Sequence, residues 1–414
     1  MRGMDAPRFT RVLAAEGISN FGSMLSRLAI PWLATLVLQA TPAQMAALLL
    51  ADVAAAALGA LWLAGWIDRH GKRAVMLLAD AARCALLLFL ALAAWRGWAS
   101  LSLLVLAAAA SGVLTAGFEL ARSAWVAQCV AVAELPRRNA QLTAVGSVSE
   151  AAAFALGGWI YQALGAVLAL SVDALSYAAS ALCLRGVAEV PGVPRPLAPA
   201  QAAWHAMWDE AVAGLRAVAT RPALRALAGI ESLLGFWMAL SGTAYMIFVS
   251  RDVGLPTGVL GMIFALGGLG SVLGASLAPW LGRRFGPGRT MTAGLLLTTF
   301  GALCIVLVPG LGWLAVALLI TQQVVGDAGH TVHQVHDRSL RQTAVPAKLL
   351  ARADAGIRSA GYLGTLAGAL AGGAVGTAYG TRTVLSLAVA SVAAAAALAA
   401  WRLAERRSAG QGSG

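Results

Sequence analysis

The sequence predicts an all-α integral membrane protein with about twelve transmembrane helices in two related six-helix bundles. Three observations predict it. First, 59% of the 414 residues are hydrophobic and only 12% are charged, about half the charged share of a soluble domain. No soluble core of this size hides that much apolar surface, so lipid is the expected solvent. Second, the apolar residues fall in stretches of about 20, the length that crosses a bilayer as a helix. Third, a short basic hairpin, Ala64-Gly65-Trp66-Ile67-Asp68-Arg69-His70-Gly71-Lys72-Arg73, returns in weaker form as Gly282-Arg283-Arg284-Phe285-Gly286-Pro287-Gly288-Arg289. The turn Leu135-Pro136-Arg137-Arg138-Asn139 likewise matches the region of Pro346-Ala347-Lys348-Leu349, so the halves align at an offset of about 210–215 residues. Parallel repeats of this kind are a transporter plan.

The first span, 11–36, follows a polar and basic start. It is too long for a signal-peptide core and no cleavage site follows it, so it stays as a helix. Spans 43–66 and 74–95 flank the first hairpin, and 99–122, 139–163 and 166–188 complete a first bundle, 1–188. The joint 189–222 is the one long connection. Pro191, Pro194, Pro196 and Pro199 mark it as a linker. Trp204, Trp208, Val212, Leu215 and Val218 then recur at helical spacing, as in a helix lying in the membrane interface or a plain spacer. Spans 223–249, 256–281, 290–308, 311–335, 355–378 and 381–402 form the second bundle, 223–402. The tail 403–414 ends in a flexible Gly/Ser composition.

The formal net charge is +12. Its cations sit in short joints between apolar spans, as topology signals do, and not in a groove for nucleic acid. One side of the alternation collects Arg69, Lys72, Arg73, Arg137, Arg138, Arg283, Arg284, Arg289, Arg338 and Arg341, with many more; the other holds Arg96, Arg251 and Arg382. The bias predicts an even number of spans with both termini and the central linker in the cytoplasm. Cys84, Cys129, Cys183 and Cys304 form no CxxC pair and read as small buried hydrophobes.

The first hairpin resembles the signature loop of the major facilitator superfamily, G-x-L-a-D-R-x-G-R-R, in Asp68, Arg69, Gly71, Lys72 and Arg73. The segments Leu135-Pro136-Arg137-Arg138-Asn139-Ala140, Ser339-Leu340-Arg341-Gln342 with Pro346, and the Gly261…Gly267-Gly268-x-Gly270…Gly274 run resemble its siderophore and macrolide exporters. Ala153-Phe154-Ala155-Leu156-Gly157-Gly158 stands where drug exporters often carry G-P-x-x-G-G. The resemblance implies a multi-pass protein of a bacterial inner membrane, working as a monomer by alternating access. It implies proton-coupled efflux of a small amphipathic or cationic molecule, with uptake or lipid flipping as the alternatives. Asp68, Arg69 and Arg73 would then be gating residues. Helices 1, 4, 7 and 10 would line the cavity.

A charge inside lipid is costly and suggests function. Arg27 and Asp52 reach similar depth on adjacent spans and are expected to pair, as a static salt bridge or a moving gate. Asp80 with Arg83, and Glu119 with Arg122, stand three apart on single helix faces near the cytoplasmic ends. They are expected to extend the hairpin's network or to serve structure alone. Glu16, Glu150, Asp173, Glu231 and Asp327 have no partner on their own helices. On the resemblance, Glu16, Glu231 and Asp327 are candidates for binding a proton or a cationic substrate, and Glu150 is a further candidate. Asp327 and His330 can face one another as a relay, or can end a helix wetted by cytoplasm. His330, His333 and His336 step by three and so drift about 60° each time, which argues against a metal site. Trp32, Phe118, Phe236, Trp237 and Tyr245 could wall a pocket, or pack and face lipid.

No cofactor is expected. The chain holds no HExxH, no GxSxG and no Walker loop, which argues against an enzyme and against ATP-driven transport by this chain alone. A non-transporting membrane receptor on a carrier fold remains a third class.

Overall fold

The computed structural model describes residues 6–131, 134–187, 189, 208–209, 212, 214, 216, 218–344 and 347–411. Nearly all of them are helical, and there is no strand among them. Most of the linker read at 189–222 lies outside the described residues, as do the side chains of Asp68, Arg69 and the tail 403–414.

Outside the linker, twelve helical rods follow one another among the described residues. They are α1, Ala6–Trp32 with a π turn Leu33–Val37; α2, Pro42–Arg69; α3, Lys72–Trp95; and α4, Leu101–Cys129. The segment Leu135–Arg185 bends at Gly165, whose φ of 72° is one that an L side chain rarely adopts, into α5 at 135–164 and α6 at 166–185. Then come α7, Pro222–Ile247 with a π turn Phe248–Asp252; α8, Thr257–Phe285; and α9, Pro287–Val306. The rod α10 runs through Trp313–Thr321, a π turn Gln322–Gly326, and Asp327–Ala344; α11 is Ala347–Tyr379 and α12 is Thr381–Gln411. Among the described residues eight segments are long and apolar enough to cross a membrane; α1, α10 and α11 are not among them. All three carry charged residues within the spans read from sequence, and the π turn divides α10 into helices of 9 and 18 residues.

Two compact units make up the chain: 1–40, 47–204 and 256–262 form unit 1, and 41–46, 205–255 and 263–414 form unit 2. In unit 1, α1 and α3 pack on the bent pair α5–α6, and α4 packs on α3. In unit 2, α7 packs on α11 and α12, and α9 on α10 and α12. Small residues bring these backbones together. On α11, Gly364 and Gly368 lie against the backbone of Ser232 and Phe236 in α7, and on α9, Gly294 lies against Gly329 of α10. A methyl group at any of these positions would force the helices apart.

Candidate functional site

The first hairpin is held by its own caps. Lys72 is buried, and its Nζ donates to the carbonyls of Ile67 at 2.5 Å and His70 at 3.4 Å, satisfying the free end of α2. Gly71 precedes α3 without a side chain to cap it. The cap comes from afar instead: Glu189 Oε1 accepts from Arg73 N at 3.1 Å, and the Arg73 guanidinium reaches the Val187 carbonyl at 3.0 Å. An acid at a helix N-terminus also meets the favourable end of the dipole. Glu189 was not singled out from sequence, because it lies 116 positions from its partner.

Two groups of charges in unit 1 hold residues singled out from sequence. Glu16 of α1 meets Arg122 of α4 at 3.3 Å, and Arg122 also binds Glu119 on its own helix. Asp80 and Arg83 on α3 pair at 2.6 Å and are both buried. They turn inward, not toward the hairpin. Ser180 of α6 donates to Asp80 Oδ2 at 2.7 Å, and the Arg83 guanidinium sits between the rings of Phe118 at 4.6 Å and Tyr177 at 4.3 Å. Tyr177 shares a 2.8 Å hydrogen bond with Ser23 of α1.

Unit 2 repeats the first of these groups. Glu231 of α7 meets Arg341 of α10 at 2.7 Å, and Arg341 binds Asp337 on its own helix at 2.6 Å. Glu231 follows Glu16 by 215 positions, Arg341 follows Arg122 by 219, and Asp337 follows Glu119 by 218. Each unit therefore brackets its first helix to its fourth with one arginine between two acids. Glu16 and Glu231 lacked a partner within their own helices; the partner comes from the neighbouring rod. Asp337 and Arg341 stand four apart on one helix, but they follow Glu119 and Arg122 by more than the 210–215 offset read from the sequence, so the repeat did not tie them to that pair.

Deeper in unit 2 lies a second polar group. The π turn Gln322–Gly326 shifts the register of α10 immediately before Asp327. Such insertions are frequent at functional sites. Gln322 Nε2 donates to Gln323 Oε1 at 2.6 Å, and Tyr245 of α7 donates to Gln322 at 3.5 Å. Asp327 is half-buried and has no hydrogen bond or ion pair among the described residues. Gly267 of α8 leaves the room that Asp327 and Gln323 face, since a Cβ there would run into both. The His330 ring lies 5.6 Å from that of Trp237, and the Tyr245 ring 5.8 Å from that of Phe264. The buried atoms Trp237 Nε1 and His330 Nδ1 have no hydrogen-bond partner among the described residues. Counted from Trp313, Asp327 lies roughly 21 Å along the rod, about two-thirds of the way across a hydrocarbon core of about 30 Å.

Some expected contacts are not among those formed by the described residues. Arg27 is exposed and Asp52 half-buried; the arginine's charge acts on Asp52, with no ion pair between them within 4.0 Å. Asp327 and His330 share no hydrogen bond; the imidazole turns to Gln334, at 3.0 Å. Glu150 is exposed on α5, without an ion pair among the described residues. No cluster of three His, Cys, Asp or Glu side chains fit to hold a metal ion occurs among the described residues.

Over residues 12–336 the sequence matches the family model of the Major Facilitator Superfamily. A curated relative, the uncharacterized MFS-type transporter y4rN of Sinorhizobium fredii (strain NBRC 101917 / NGR234), is 28% identical over 243 residues, 57% of this chain and 57% of that one. The match thus spans little more than half of the relative's length. Among solved structures, the nucleoside transporter NupG is similar with a TM-score of 0.72 at 14% identity, over 96% of this chain and 99% of that one. A bacterial homologue of the human lysosomal transporter Spinster gives 0.71 at 15%, over 95% and 97%. A bacterial metal transporter gives 0.69 at 18%, over 96% and 98%. At these identities the likeness is one of fold.

Proposed function

The chain belongs to the Major Facilitator Superfamily, and on that premise we propose that it is a secondary active transporter exporting a small amphipathic or cationic molecule in exchange for protons. One observation carries the reading. Asp327 is an acid within the tenth span, directly after a π turn, half-buried, and without an ion pair among the described residues. Such a carboxylate holds a proton or a cation, and exchange of one for the other is antiport. The rings of Trp237 and Tyr245 and the amides of Gln322 and Gln323 suit an organic cation with hydrogen-bonding groups.

The remaining roles follow. The bundles 1–188 and 223–402 are the moving bodies, with both termini in the cytoplasm of a bacterial inner membrane. The two acid–arginine–acid brackets keep α1 on α4 and α7 on α10 while the bodies rock. The hairpin with Asp68, Arg69, Lys72 and Arg73 is the latch at the basic end. The protein works as a monomer and needs no cofactor.

The test uses purified protein in proteoliposomes with an imposed pH gradient and tetraphenylphosphonium as the probe. Wild type is expected to accumulate the probe against its gradient, and a protonophore to abolish the accumulation. Asp327→Asn is expected to bind no probe and to move none. Undiminished uphill flux in that variant would remove Asp327 from the mechanism, and flux indifferent to the protonophore would remove the proton.

A further inference from the structure

The contact of α1 with α6 holds a carboxylate that none of these roles uses. Asp173 is 0% exposed. Ser176, three residues along α6, donates to its Oδ1 at 3.1 Å. Its Oδ2 is buried without a hydrogen-bond partner among the described residues, and so is the Oγ of Ser26, a residue 6% exposed whose hydroxyl lies against this carboxyl. Gly22 closes the remaining side, where a Cβ would run into Asp173 Oδ1 and Ser176 Oγ. Buried oxygens in native proteins are rarely left without a partner; the Ser26 hydroxyl can donate to an ionised Oδ2 or accept from a protonated one.

Charge decides between the two forms. From α3, Arg83 is the cation that faces Asp173, and the field of Asp173 also reaches Cys84; on α6 itself the titratable neighbour is Tyr177. From α1 the neighbours are Gly22 and Ser26. Arg83 is already balanced by Asp80 at 2.6 Å. An ionised Asp173 would leave a net negative charge in the interior of unit 1, which is costly. With a hydrogen on Oδ2 donated to Ser26 Oγ, both unpartnered atoms are satisfied and no charge is buried. The ionised form draws on the Ser26 hydroxyl and on the charge of Arg83. Arg83 Nε is a buried donor without an acceptor among the described residues.

We propose that the Asp173 carboxyl is a proton-binding site of the transporter, distinct from Asp327, which loads and releases one proton as α1 shifts against α6. The proposal rests on the proton-coupled reading above. In the loaded state the O–H bond points to Ser26; in the released state the proton has passed to water and the carboxylate draws on Arg83. Two measurements separate the proposal from that reading. Infrared difference spectra of the purified protein across a pH titration should show the C=O stretch of a neutral carboxylic acid that disappears in Asp173→Asn. Asparagine keeps the shape and both hydrogen bonds, so the fold is expected to survive. If it does not, Asp173→Glu should move the band without abolishing it. In proteoliposomes, Asp173→Asn should release one proton fewer than wild type for each tetraphenylphosphonium exchanged. Absence of the acid band in wild type, or its persistence unchanged in both variants, overturns the site whatever the transport assays show. A band present in wild type but with proton release intact in Asp173→Asn overturns the loading and release. Failure of the Asp327 test alone, with the band at Asp173 present, counts against the antiport reading and leaves the proton at Asp173 standing.

Discussion

The two acid–arginine–acid brackets share a layout and differ in where their charge is hidden. In unit 1 the inter-helix acid, Glu16, is the buried one at 13% exposure, and the same-helix acid Glu119 is half in solvent at 49%. In unit 2 the order is reversed. The inter-helix acid Glu231 is 35% exposed, and the same-helix acid Asp337 is only 7% exposed. The arginines themselves are similar, at 18% and 11%. Duplication therefore preserved the geometry of the tie between first and fourth helices. It moved the energetic weight from the bond between helices in unit 1 to the bond within a helix in unit 2.

The largest consequence follows from removing the shared cation. Arg341→Ala strands Asp337 in a nearly dry site and leaves Glu231 unpaired beside it. Uncompensated charge in such a place costs on the order of 3 kcal/mol. Arg122→Ala strands Glu16, but Glu119 relaxes into solvent, and the cost falls to about 2 kcal/mol. Thermal unfolding of the purified variants in detergent reads both. Adding Asp337→Asn to Arg341→Ala should recover much of the loss by removing the stranded charge. A larger penalty at Arg122 than at Arg341 would reverse the comparison.

Smaller effects sharpen the same contrast. Glu119→Gln touches an exposed pair, and exposed pairs contribute less than about 1 kcal/mol. Glu231→Gln weakens the tie of α7 to α10 while Asp337 keeps Arg341 neutral. Its stability should also change by about 1 kcal/mol or less, so any loss of coupled flux in this variant reports on the α7–α10 tie and not on folding. Wild-type flux in Glu231→Gln would reduce the bracket of unit 2 to a structural brace.

Much of this arrangement was legible before the coordinates. Apolar runs of about 20 residues separated by basic turns located the twelve rods, because lipid leaves the backbone no alternative to the helix. What composition does not mark is where a rod stops once it leaves the bilayer. α4 continues to Cys129, beyond the span read to 122, and α10 continues to Ala344, beyond 335. The buried charges were legible as anomalies, but their partners on other helices were not. Glu16 and Arg122 are 106 positions apart, and helix rotation, which decides whether they meet, leaves no trace in a run of Ala and Leu. Asp80 and Arg83 were correctly seen as a pair on one face. That the face turns toward Ser180 and Tyr177 depends on α6, which the local sequence does not register. The π turn before Asp327 was not legible at all, since Gln322–Gly326 has no breaker residue until its last position.

The hairpins close the comparison and give its smallest effect. Both must begin a helix with donors that nothing local satisfies. Unit 2 solves the problem within the turn. Gly286 takes a φ of 82°, and Pro287 occupies the first helical position, where its missing N–H removes one donor and its fixed ring suits the helix. Unit 1 has Gly71 with an extended backbone and no proline, and it imports Glu189 from beyond α6 to accept from Arg73 N. The first solution is local and cannot report on neighbouring helices; the second breaks whenever the end of α6 moves away from the start of α3. Pro287→Ala should therefore cost about 0.5 kcal/mol through the freedom of the unfolded chain and leave transport untouched. Glu189→Ala should cost a similar amount, about 1 kcal/mol, as a lost cap, yet change the rate of transport. Its signature is a shift in tetraphenylphosphonium flux at unchanged thermal stability relative to Pro287→Ala. Equal flux in the two variants would make the Glu189 contact a cap and nothing more.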